Sequence, residues 1–129
     1  MPAKILFVLG SITISTFLIA EPSLAHHGFA SYTHDVITVE GIVTEFRFVN
    51  PHVQLFFDIE NDQGKIEHWQ GELTSPNKLS RAGWTKTMFT AGEVLKISGE
   101  VARNGGHSIR IREIITPSGD SLPLFESVD

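Results

Sequence analysis

The chain is 129 residues long and 41% hydrophobic, and it carries ten Lys+Arg against fifteen Asp+Glu for a formal net charge of −5. Length and hydrophobic content suit one globular domain, while the acidic balance speaks against nucleic acid as a partner, because affinity for a phosphate backbone rests on cationic contacts. The absence of cysteine excludes disulfide staples, thiolate zinc sites and cysteine nucleophiles, and leaves six histidines as the main nitrogen ligands.

At the N-terminus, Lys4 precedes an apolar run from Ile5 to Ala20, followed by Glu21-Pro22 and Ser23-Leu24-Ala25. Small residues at Ser23 and Ala25 fit a signal-peptidase site, so residues 1–25 read as a cleaved signal peptide and the mature chain as periplasmic. The run is short for a bilayer span, which makes a retained anchor the weaker reading and leaves no membrane span after processing. Cleavage after Ala25 makes His26 the new terminus, with His27 beside it. The α-amine and imidazole of one N-terminal histidine chelate a single metal ion, and a third nitrogen completes a T-shaped site suited to copper(II). A frayed polar terminus is the plainer alternative. Residues 26–35 read as an arm pinned by Phe29 and Tyr32, ahead of a barrel domain over residues 36–129. Within the arm, His34-Asp35 reads as a solvated turn pair.

Strands follow. Ile37, Val39, Gly41 and Val43 alternate on one face, and Phe46 and Phe48 continue on the opposite parity. That slip predicts a bulge or sharp bend between Gly41 and Thr44 in a long first strand. Asn50-Pro51 ends it, since Pro51 has no N–H to give a ladder. Val53, Leu55, Phe57 and Ile59 make a half-buried second strand, and Asn61-Asp62-Gln63-Gly64 a hairpin turn. The third strand runs from Lys65 to Glu72, with Ile66 and His68 on one face and Trp69 on the other. Ser75-Pro76 then starts a short helix that Gly83 ends. Leu95, Ile97, Gly99 and Val101 alternate in a fourth strand, Asn104-Gly105-Gly106 turns the chain, and the fifth strand spans Ser108 to Ile115 with Ile109 and Ile111 inward. Leu122, Leu124 and Phe125 are expected to cover a barrel end.

Five strands with one short helix between the third and fourth, after a long bent first strand, is the order of an all-β OB-fold-like Greek-key barrel. An open five-stranded sandwich is the competing arrangement. The combination of His26-His27-Gly28-Phe29-Ala30, Asn50-Pro51-His52, His68-Trp69-Gln70-Gly71-Glu72, Pro76-Asn77 and Arg81-Ala82-Gly83-Trp84 resembles the exported bacterial family labelled domain of unknown function 6152. The resemblance spans the mature chain and implies a small secreted β-barrel, with no activity to carry over.

For chemistry, His52 follows a turn at a barrel rim and is the expected third nitrogen of a copper site with His26 and His27. A hydrogen bond to the rim backbone is its alternative role. His68 reads as a strand residue and His107 as a turn residue. A second candidate is a small-molecule pocket between helix and barrel lined by Trp69, Glu72, Asn77, Arg81 and Trp84, with core tryptophans and a structural Glu72 as the alternative. A lone carboxylate without a positioned partner is no acid–base pair, and Ser75 and Ser108 lack an elbow or base, so an enzyme is not expected. Two functions therefore compete: a periplasmic copper(II)-binding protein, and a metal-free module that binds an envelope protein or small molecule.

Overall fold

The computed structural model describes residues 31–125. The leader over residues 1–25 and the copper ligands expected at His26 and His27 lie outside the described residues. The elements are β1 (Tyr32–Arg47), β2 (Gln54–Glu60), β3 (Ile66–Glu72), α1 (Pro76–Arg81), β4 (Val94–Ala102) and β5 (Ser108–Ile115). The strands close into a barrel in the order β1-β2-β3-β5-β4, with β3 and β5 parallel and every other pair antiparallel. Closure rules out the open sandwich, and the order is that of an OB-fold.

β1 makes this closure possible because it belongs to two sides of the barrel. Its first part pairs with β4 as far as Ile42, and its last part pairs with β2 from Ile42 to Arg47. The register shifts between Val43 and Glu45, at the place where the apolar parity changes from Val43 to Phe46. Gly41 lies under the Phe57 ring, where an added Cβ would sit 2.5 Å from Cδ2. β1 also starts earlier than the arm boundary at residue 35 implied. Tyr32 pairs with Ala102, and an irregular stretch leads to the Val36–Glu100 pair. The reason is burial: Tyr32 is only 6% exposed, and the Arg103 side chain donates from Nε to the Tyr32 carbonyl at 2.7 Å.

The core is filled by Leu55, Phe57, Leu95, Ile97, Ile109 and Ile114, all nearly inaccessible. β5 carries one extra residue against β4, for Ser98 faces Glu113 while Gly99 faces Ile111. This bulge at Arg112 lets both Ile111 and Ile114 point inward. Gly64 and Gly105 supply the positive φ that their hairpin turns need, at 73° and 75°.

α1 closes one end of the barrel. Pro76 occupies its first turn, and Leu79 is fully buried. The helix stops in a Schellman arrangement: the Gly83 N–H donates to the Ser80 carbonyl at 3.0 Å and the Trp84 N–H to the Leu79 carbonyl at 3.0 Å. After β5 the chain folds back, with the Leu122 N–H donating to the Ile114 carbonyl at 2.9 Å. Leu124 enters the core as expected, but Phe125 is 66% exposed, because burying Leu124 turns its neighbour outward. Among the described residues no helix is long and apolar enough to cross a membrane.

Candidate functional site

The parallel pairing of β3 with β5 sets Glu72 beside Arg110. β1 ends in the loop that carries His52, and the Val53 N–H, donated to the Thr74 carbonyl at 3.0 Å, ties that loop to the chain after β3. Together these connections bring His52, Glu72, Lys78, Arg110 and Arg112 around a cavity of about 210 Å³. Leu73, Leu79, Ile111 and Leu124 form its apolar part.

A chain of polar contacts organises one wall. His52 Nδ1 lies 2.6 Å from Glu72 Oε1, a distance that requires the proton on Nδ1 and leaves Nε2 for a further partner. Tyr32 donates its hydroxyl to the other Glu72 oxygen at 3.0 Å, and Ser108 Oγ lies 3.2 Å from the same hydroxyl. Burial, reinforced by the Glu72 charge, pushes the Tyr32 phenol above its ordinary value, so it stays a donor. On the neighbouring wall one carboxylate serves two guanidinium groups. Arg112 donates to Glu100 at 2.9 Å and Arg110 to the same side chain at 3.4 Å. The Arg112 hydrogen bond holds the Glu100 carboxyl below the usual carboxylate range. Burial, followed by repulsion from Arg112, lowers Arg110 from its ordinary value. Lys78 has no ion pair among the described residues.

The residues singled out from sequence scatter. Of the expected pocket set, Glu72 alone lines the cavity. Asn77 and Arg81 are exposed on α1. Trp84 is 2% exposed, donates from Nε1 to the Pro123 carbonyl at 2.7 Å, and packs edge-on against Phe89 at 5.5 Å. Trp69 stacks on His107 at 5.1 Å and donates to Glu67 at 3.1 Å. Glu67 also accepts from Asn61, which holds its carboxyl low. His52 lines the cavity, and its partner is a carboxylate and not the rim backbone. Among the described residues no group of three or more His, Cys, Asp or Glu is placed to hold a metal ion. Sequence reasoning missed Lys78, Arg110 and Arg112 as site residues, although the outward alternation of the two arginines was visible.

The outer face of β2 and β3, where many OB-folds take ligands, is occupied by its own charges. Asp58 pairs with His68 at 2.6 Å, and Arg47, held by Glu45 at 2.7 Å, lies over the Phe56 ring at 4.6 Å. The cavity is therefore the better-formed site.

No curated protein matches this chain. Among solved structures it is similar to the mitochondrial single-stranded DNA-binding protein Rim1 of S. cerevisiae, with a TM-score of 0.49 and 9% identity over 64% of this chain and 93% of that one. That likeness carries no argument about what this chain binds. The sequence profile of the Family of unknown function (DUF6152) matches residues 15–110, and the chain belongs to that family.

Proposed function

We propose that the chain is an exported, periplasmic module that binds a small molecule, and that the cavity between β3, α1 and β5 is its binding site. The observation that supports this is the convergence of His52, Glu72, Lys78, Arg110 and Arg112 over an apolar floor in a partly open cavity, the meeting of polar groups and apolar surface that ligand sites use. The test is native mass spectrometry of the protein recovered from its own cells, beside Thr74→Trp, which fills the cavity while keeping the backbone bond to Val53. A small-molecule adduct on the wild type that is lost in the variant is the expected result. The same adduct on both, or on neither, contradicts the reading.

A copper(II) site on His26, His27 and His52 is the second reading. It draws on the Glu72 contact at His52 Nδ1, since a metal-ligating imidazole is commonly held by a carboxylate through its other nitrogen. Against it stand Lys78, Arg110 and Arg112 around the same cavity, which oppose a dication. Copper(II) titration with electron paramagnetic resonance of protein beginning at His26 decides, beside a version with one extra N-terminal residue. Tight binding lost on extension supports copper; equal weak binding by both excludes it.

A further inference from the structure

The chemistry of the cavity narrows its ligand, on the reading that the cavity is a binding site. The whole chain has fifteen acidic and ten basic residues, yet this lining has three of the ten cations, Lys78, Arg110 and Arg112, against one carboxylate, Glu72. Glu72 is spoken for on both oxygens, by His52 and by Tyr32. Glu72 and Glu100 together face Arg110 and Arg112, and Lys78, without an ion pair among the described residues, leaves one cation in excess. A ligand here meets an excess of positive charge in a protein that is otherwise negative.

Size and shape set the rest. The space of about 210 Å³ falls below the roughly 300–1,000 Å³ of clefts for drug-sized ligands. An engineered apolar cavity of about 150 Å³ takes benzene, so this one has room for a ring of that size and a small head group. Ile111 and Leu124, which keep 5% and 9% of their surface exposed, offer it an apolar seat beside Phe125, and a guanidinium fork matches a carboxylate in two parallel hydrogen bonds. We propose that the cavity binds a small monocarboxylate with an apolar body about the size of one ring, the body against Ile111 and Leu124 and the carboxylate toward Arg112 and Lys78.

Calorimetric or NMR titration of the full chain with benzoate, benzyl alcohol and benzylamine tests this, because the ring is constant and the charge is varied. Benzoate is expected to bind about tenfold or more tightly than the alcohol, the difference that about 1.4 kcal/mol makes, with the amine weakest. Lys78→Gln, which breaks no ion pair among the described residues, is expected to weaken benzoate several-fold and to leave benzyl alcohol unchanged, and added salt is expected to weaken benzoate alone. Alcohol or amine binding as tightly as benzoate overturns the carboxylate assignment and leaves the cavity as a binding site. Failure of all three to bind overturns this inference, and Thr74→Trp compared with wild type in cells then decides separately on the cavity.

Discussion

Glu72 is the residue on which the site wall depends, because it receives His52 on one oxygen and Tyr32 on the other. Replacing it by leucine leaves the imidazole without its acceptor while Tyr32 keeps Ser108. The expected cost is about 0.5–1.5 kcal/mol, the net worth of a hydrogen bond whose remaining partner can turn to water, read as a lower denaturation midpoint at unchanged slope. Unaltered stability would mean that these contacts hold nothing in place. Glu100 makes a prediction in pH. Its carboxyl sits below the ordinary value near 4.5, chiefly through the Arg112 hydrogen bond, so the stability it contributes is present above the unfolded value and is lost as pH falls below about 4.5 through the folded one. Glu100→Gln is therefore expected to lose stability at neutral pH and to show a flatter decline than wild type in that acid window. Parallel acid titration curves for the two proteins would contradict this. At this scale the sequence revealed types and not partners. His52 and Glu72 were legible as candidates, but their meeting depends on the loop after β1 being tied to Thr74, which no local pattern encodes. Trp84 was legible as an aromatic of either pocket or core, and its burial to 2% exposure decides for the core.

At the scale of the element, each strand follows from alternation and each turn from its Asn and Gly residues, which is why their order was readable without coordinates. The bulge in β1 was also legible, since a parity change from Val43 to Phe46 leaves no other way to keep both inside. The bulge in β5 was not. Ile111 and Ile114 stand three apart, and the sequence carries no glycine there to mark the break; the close approach is instead on β4, where Gly99 lies against the Arg110 backbone. Gly99→Ala puts a Cβ into that backbone and is expected to cost about 1–3 kcal/mol or more, as overpacking does. Thermal unfolding checks it, and a melting temperature equal to wild type would refute the packing account. In α1, Leu79→Ala empties a fully buried position and is expected to cost roughly 2–5 kcal/mol while loosening the cavity floor. An adjacent exposed change, Asn77→Ala, is expected to stay within about 0.5 kcal/mol; equal effects from the two would contradict the assigned facing of the helix.

Across the whole molecule, the barrel brings together what the chain keeps apart. His52, Glu72, Lys78 and Arg112 come from four separate segments, and the parallel β3–β5 pair that unites two of them joins strands separated by a helix and another strand. Alternation names the strands but does not say which will be neighbours, so the cationic cavity was beyond the reach of sequence pattern even though the closed five-stranded barrel was within it. The leader and the export it implies rest on residues 1–25 and stand or fall by processing after Ala25. The central claim, that ligands enter at the cavity and not on the charge-paired face of β2 and β3, is tested most directly by mapping. Amide chemical shifts should be followed by NMR while a set of small fragments is added to the full chain. The account predicts saturable shifts gathered on His52, Glu72, Thr74, Lys78 and Ile111, absent in Thr74→Trp. Shifts gathered instead on Phe56, Asp58 and His68 would place the site on the outer face of β2 and β3 and contradict it.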